Sequence, residues 1–380
     1  MKRLWLYLIL IYACAGCRDE ISLPKENLRR AVIVYVMGEN SLSYAAQTDL
    51  NEIRSAVGQI PDSCAMAVYF DNSRTDIKPQ ILLFDKTHGE QTLLTYGADQ
   101  TSTDSTVMLS ALRFITQKVQ ADEYGLILWS HGSGWLPARK TIGIDNKRNN
   151  SSNSGVEMEI TTLRGVLENV GVHWAYIFYD ACFMQCIEVA YELRQLTDWS
   201  IGSPAEIPAF GAPYDRLMPY LFQQTGYAQS ITEQYYNFYR DDTGLLLSAI
   251  RSDELESLAR ATADVLSHTD ELPTDGIQQY CAYSSQTGWK SEFFDMGSCM
   301  ARWLNADDYK QWSQALERAV PYRYSSDTWP TSYSSVFEAK LTDAEHYTGI
   351  SMYVPFLERS QQETAWKRYQ WYRDVGYRLN

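Results

Sequence analysis

Basic residues are scarce beside acidic ones: 33 Lys and Arg stand against 47 Asp and Glu, for a net charge of −14. Neutralising phosphates requires clustered Lys and Arg, and no basic run here is longer than a pair such as Lys147-Arg148. That excludes a general nucleic-acid binder. Membrane-length apolar runs are also missing, since the run from Leu4 to Tyr12 is too short to span a bilayer as a stable anchor. Cysteines number seven, with Cys64, Cys182, Cys186, Cys281 and Cys299 beyond the N-terminal Cys14 and Cys17. Five at such spacings do not make a small disulfide scaffold. Cys182 and Cys186 lack the paired His or Cys that a zinc site needs, and no metal ligands are assigned. There is no internal repeat, no dense Asp/Asn loop of the calcium-binding kind, and no Gly-x-Ser-x-Gly pentapeptide. The last absence excludes the nucleophile elbow of lipases.

What is present describes a globular protein. A hydrophobic fraction of 45% and a charged fraction of 21% argue against disorder, and 380 residues can bury a sizeable core. The 27 Tyr and 11 Trp read as core and surface aromatics rather than a glycan-stacking face. Residues 1–17 read as a targeting segment: basic Lys2-Arg3, an apolar stretch, then Cys14-Ala15-Gly16-Cys17. Small residues before a cysteine resemble a bacterial lipobox, which makes Cys17 the expected lipidation site, although Cys14 stands where Leu is usual. The alternative is an ordinary secretory signal. Arg18-Asp19-Glu20 resembles the surface-export signal of Bacteroidetes lipoproteins. The expected location is the bacterial cell envelope, lipid-anchored, on the periplasmic or the outer face.

Residues 18–29 read as a polar tether, 30–250 as the main domain, and 251–380 as a helix-rich region completing the fold. Short apolar runs at 31–36, 66–70, 80–84, 125–130, 174–179 and 199–204 alternate with helical patterns near 44–57, 105–119, 161–169 and 184–196. Unbroken apolar runs suit strands buried on both faces, and the alternation predicts an α/β three-layer sandwich with a mostly parallel sheet. Beyond Tyr214 the pattern is mainly helical, with helices near 253–268 and 306–319 and strands at 245–250 and 349–354. Residues 139–155 read as a polar loop.

Two of the apolar runs end in reactive side chains. Gly125–Ser130 leads into His131-Gly132, and Trp174–Tyr179 leads into Asp180-Ala181-Cys182. Functional groups of open α/β sheets gather beyond the carboxyl ends of the strands, so both side chains are expected in one cleft. A thiol beside an imidazole is a nucleophile with its base. The helix after Cys182 is expected to favour the thiolate from its N-terminal end, with Cys186 on the same helix as a small buried residue. The Gly132 amide, after His131 and before Ser133-Gly134, is the expected oxyanion donor together with the Cys182 amide. A carboxylate at Asp180 would pair with a basic substrate side chain, or else cap the following helix.

The histidine lies 51 positions before the cysteine, close to the caspase spacing, although the flanking residues differ. The segments Trp129-Ser130-His131-Gly132-Ser133-Gly134-Trp135 and Tyr179-Asp180-Ala181-Cys182-Phe183-Met184-Gln185 resemble the clostripain family of cysteine peptidases, in the caspase-like clan. Supporting pieces are Gly202-Ser203-Pro204-Ala205-Glu206-Ile207-Pro208 and Gly349-Ile350-Ser351-Met352-Tyr353-Val354-Pro355. The resemblance implies a caspase-like sheet and an endopeptidase acting on protein or peptide substrates after Arg or Lys. It implies His131 as general base, Cys182 as nucleophile and Asp180 as the acid of the primary specificity (S1) pocket, with Ser203 and Glu206 beside it. It also implies a processing loop, in which Lys147-Arg148 is the expected dibasic site of cutting. Calcium stays open as a cofactor, since some clostripain-like proteins need it. A non-catalytic surface lipoprotein using the same fold for binding is the rival reading.

Overall fold

The computed structural model describes residues 23, 27–136, 142–147, 155–269, 272–280, 292–331, 338–354 and 360–376. Cys17, Arg148 and Cys281 lie outside the described residues. In chain order the first half holds β1 (Leu28–Gly38), α1 (Ser43–Ala56), β2 (Cys64–Asn72), β3 (Gln80–Asp85), β4 (Gly89–Thr95), α2 (Ser105–Lys118) and β5 (Ala121–Trp129). Then come β6 (Ile142–Asp145), β7 (Val156–Met158), α3 (Ile160–Val170), β8 (Trp174–Asp180), α4 (Ile187–Leu193) and β9 (Trp199–Gly202). The second half holds α5 (Tyr214–Leu221), α6 (Tyr227–Tyr239), β10 (Leu246–Arg251), α7 (Leu255–Leu266), β11 (Phe294–Asp295), α8 (Met296–Trp303) and α9 (Ala306–Ala319). It closes with β12 (Tyr322–Ser325), β13 (Thr328–Pro330), β14 (Glu338–Lys340), β15 (Ser351–Met352), α10 (Ser360–Trp366) and α11 (Gln370–Val375).

Nine strands form one sheet in the order β12-β10-β9-β8-β5-β1-β2-β3-β4. The central five, β9-β8-β5-β1-β2, are parallel, and the pairs beyond them on each side are antiparallel. Alternation along β1 shows why the run had to be apolar throughout. Ala31, Ile33, Tyr35 and Met37 join the core on one face, while Val32, Val34 and Val36 join the core on the other. Helices α2, α3, α4 and α7 bury apolar residues in the first core, and α1, α5 and α6 in the second. The result is the expected three-layer α/β sandwich. The C-terminal third is tied into it, because β12 pairs with β10 at the sheet edge.

The departures are local. Strand β4 was not anticipated; its polar Gly-Glu-Gln start and half-exposed pattern suit the sheet edge that it forms. Strands β6 and β7 pair at the two ends of the stretch expected to be loop. The strand expected at 349–354 shrinks to two residues, paired antiparallel with β11. The helix expected from Met184 begins only at Ile187. Phe183 has φ of +62°, which no helical residue adopts. The Phe183 and Gln185 amides donate to the Ala205 and Ser203 carbonyls, so this backbone is spent on the neighbouring loop.

Candidate active site

Because β1, β5 and β8 are parallel neighbours, their carboxyl ends share one rim. The chain leaves β1 as Glu39-Asn40-Ser41, β5 as Ser130-His131-Gly132, and β8 as Ala181-Cys182. Trp129 is in register with Asp180, and the Ser130 amide donates to the Asp180 carbonyl at 3.3 Å. The next residues are consequently held together as well. A Cβ on Gly132 would fall 2.5 Å from the Cys182 carbonyl oxygen, so only glycine lets the His131 loop lie this close. The His131 carbonyl accepts from the Gly143 amide, which folds β6 back over the same rim. The His131 and Cys182 loops thus pack backbone to backbone.

Cys182 is partly exposed, and its Sγ accepts from the Ile207 amide at 3.4 Å. Burial, and then the negative charge of Glu206, push its thiol up to about 12. The expected helix-dipole activation does not occur. Helix α4 begins five residues further on, with Cys186 as its N-cap, so its N-terminal amides are not at the sulfur. At neutral pH the resting group is a thiol, and it needs a base to become a nucleophile. Cys186 is fully buried and bridges to Ser351 instead of sharing a helix face with Cys182.

Asp180 is not a helix cap, because α4 starts seven residues later and has no side-chain cap. Its carboxylate is 3% exposed and accepts from the Ala212 amide (3.0 and 3.1 Å), the Tyr214 hydroxyl (3.1 Å) and the Tyr235 hydroxyl (3.4 Å). Gly211, with φ of +62°, lies against it: a Cβ there would sit 2.8 Å from both oxygens. The loop from β9 to α5 therefore runs from Cys182, at Ile207, to Asp180, at Gly211 and Ala212. Ser203 is fully buried, and its hydroxyl accepts from the Ala205 amide, so it shapes the start of this loop. Glu206 is half-buried near the thiol. Lys147 is exposed in a turn after β6, with φ of +55° and its amide on the Asp145 carboxylate.

Several site residues carried no motif. Asp49 on α1 is 3% exposed, and one of its carboxylate oxygens accepts from the Trp129 indole at 2.6 Å. It lines a small cavity with Trp129 and Tyr214, and Tyr214 is the residue that bonds Asp180. The one signal for Asp49 was an acid among the apolar positions Ala45, Ala46, Leu50 and Ile53 of one helix face. Burial, then the Asp180 charge, hold the Asp49 carboxyl well above the ordinary range, and burial does the same for Asp180. Raised above an unfolded value near about 3.9, neutral Asp49 stabilises the fold fully below that value. The contribution is lost as pH climbs through the raised one. Asp49→Asn keeps the shape and cannot ionise. Its unfolding free energy, from urea titrations at neutral and alkaline pH, should therefore fall less with pH than that of the wild type. Parallel pH dependences would show that the Asp49 carboxyl is not raised in the folded state.

Among the described residues, one group of three carboxylates could take up a cation. Oxygens of Glu39, Asp71 and Asp99 lie within 4.8 Å of one another, the first two residues being buried. An all-oxygen donor set suits a hard cation such as calcium, although three carboxylates alone fall short of its usual six to eight ligands. No single stretch of sequence displays this group, because it is collected from the loop after β1, the end of β2 and the loop between β4 and α2.

A sheet of this order, with a thiol and an imidazole on abutting loops at its carboxyl rim, defines a cysteine peptidase of caspase-like architecture. The family model for clostripain, Peptidase C11, matches residues 34–377, and the chain belongs to that family. Among solved structures it is similar to a secreted C11 cysteine protease from Bacteroides thetaiotaomicron in complex with an irreversible peptide inhibitor. The two are 30% identical with a TM-score of 0.82, over 92% of this chain and 100% of that one. An inactive zymogen C11 protease from Parabacteroides distasonis is 26% identical with a TM-score of 0.79, over 93% and 99% of the two chains. At 22% identity, the secreted B. thetaiotaomicron protease called iotapain supports the fold alone, with a TM-score of 0.80 over 92% and 100%. No curated protein matches.

Proposed function

We propose that this protein is an exported endopeptidase that cleaves after Arg or Lys, with Cys182 as nucleophile and His131 as base. The observation that carries the specificity is the Asp180 carboxylate, buried two residues before the thiol on the strand that delivers it. A carboxylate set there is complementary to a guanidinium or ammonium at the substrate residue before the scissile bond. In the reaction His131 takes the thiol proton and the sulfur adds to the scissile carbonyl carbon. The amides of Gly132 and Cys182 stabilise the oxyanion. Collapse breaks the C–N bond as His131 returns the proton to the departing amine. Water, deprotonated by His131, then releases the acyl group from sulfur as a carboxylic acid. Fluorogenic peptides differing only at P1 test the reading, with Arg and Lys expected to exceed all others. Uniform turnover across P1 would overturn the specificity. A thiol label that reacts equally with wild type and His131→Ala would favour the non-catalytic binding module.

Processing near Lys147-Arg148 belongs to the same reading. The Asn146 amide donates to the Glu39 carbonyl at 2.9 Å, which keeps the stem of this loop on the catalytic rim. Lys147 is exposed and has the chemistry that an acidic pocket accepts, and a related C11 protease exists as an inactive zymogen. Purified wild type should run as fragments of roughly 130 and 230 residues on a denaturing gel, while Cys182→Ala stays whole. Identical gels would remove self-cutting. Export and anchoring rest on the 1–17 segment: radiolabelled palmitate should enter the wild type and not Cys17→Ala. An unlabelled, soluble wild type would remove the anchor. The related B. thetaiotaomicron protease at 30% identity being described as secreted supports an extracytoplasmic site of action.

A further inference from the structure

We propose that Ser41 is a positioning residue for His131, fixing which ring nitrogen acts as the base. The inference rests on the assignment of His131 as that base. Ser41 Oγ lies 3.0 Å from His131 Nε2. A ring nitrogen that donates to a hydroxyl holds its proton there and leaves the lone pair on the other nitrogen. With Nε2–H donated to Ser41, the proton-accepting nitrogen is Nδ1. The same bond survives when the ring becomes imidazolium, because Nε2 carries its hydrogen in both states. Ser41 is exposed, so its own hydroxyl hydrogen can be given to solvent.

The case is stronger than one contact because the loop bearing Ser41 is built into the sheet beside His131. Asn40 is fully buried. Its Nδ2 donates to the Met37 carbonyl at 2.9 Å and the Ile144 carbonyl at 2.8 Å, and lies 3.4 Å from Ser130 Oγ. Its Oδ1 accepts from the Leu42 amide at 2.9 Å, which closes a turn around Ser41. Ser130, the residue before His131, donates its hydroxyl to the Met37 carbonyl at 2.8 Å and accepts from the Ile144 amide at 3.3 Å. One polar knot therefore ties the ends of β1, β5 and β6, and Ser41 and His131 are the residues that directly follow its members Asn40 and Ser130. Orientation of a base by a third group is the recurrent logic of nucleophile–base pairs.

The test is steady-state kinetics of processed wild type, Ser41→Ala, Ser41→Thr and His131→Ala on one Arg peptide, alongside melting curves. Ser41→Ala is expected to lose roughly 10- to 100-fold in kcat with KM unchanged, a share of the 10²–10⁴ that general-base catalysis contributes. Ser41→Thr keeps the hydroxyl and should recover most of the loss. Wild-type kcat in Ser41→Ala would show that the contact is idle. A gain would show that it restrains His131, and a parallel fall in melting temperature without rescue by Thr would show a purely structural role. Each of these three overturns the proposal. Retained activity in His131→Ala would instead overturn the base assignment itself.

Discussion

Cys182→Ala is expected to abolish peptide hydrolysis, by about four orders of magnitude or more, while the protein stays folded. The thiol forms the acyl intermediate in the proposed mechanism, and among the described residues no other thiol takes its place. Cys64, Cys186 and Cys299 are buried, so none is presented to substrate. Cys182 itself is partly exposed at a loop, and losing its Sγ removes little packing. Cys186→Ala provides the contrast. It deletes a fully buried atom at the N-cap of α4 and should cost about 1–2 kcal/mol of stability while sparing most activity. Active-site titration with a peptide inhibitor that captures thiols separates the two. Equal losses in both variants would mean the nucleophile is misassigned.

Asp180→Asn is expected to weaken cleavage after Arg and Lys by about 2–5 kcal/mol in kcat/KM, roughly 30- to several-thousand-fold. The amide keeps the side-chain volume and an oxygen for the Ala212 amide and the Tyr214 hydroxyl, so the fold is retained. What it loses is the negative charge. The pH response follows from the same burial. With its carboxyl raised by desolvation, Asp180 becomes ionised in a growing fraction as pH rises through its shifted value. A cationic P1 side chain binds the ionised form, so kcat/KM on an Arg peptide should climb over that range. In Asp180→Asn that climb should disappear. If the variant instead retains full Arg cleavage with an unchanged profile, Asp180 is a structural acid held by its tyrosines, and the pocket lies elsewhere.

The legibility of the chain followed burial. Strands β1, β5 and β8 were readable because both of their faces are covered, which forces an unbroken apolar run. Helix α9 was placed at 306–319, its observed span. Asn305 caps it by accepting from the Asp307 and Asp308 amides, and its buried residues lie on one face. By contrast β15, two residues long, has pairing as its cause and no pattern of its own. The start of α4 was misplaced because 183–186 have helix-compatible side chains. Their backbone is claimed by Ser203 and Ala205, residues that only the fold brings near.

By itself the sequence determined the layered α/β class, the strand ends on which His131 and Cys182 sit, and the glycine between them and their loops. These are local consequences of apolar periodicity and backbone freedom, both of which are written in consecutive residues. Tertiary structure decided the electrostatics. Asp180 gains its partners from Ala212, Tyr214 and Tyr235, 32 to 55 positions away. Asp49 arrives from α1 on the far side of Trp129, Glu206 from the loop after β9, and Ser41 from the end of β1. A charge's energy depends on its distance to other charges and on the water removed around it. Neither quantity exists until the chain has folded, so the thiol's raised pKa and the buried acid pair were set by packing alone.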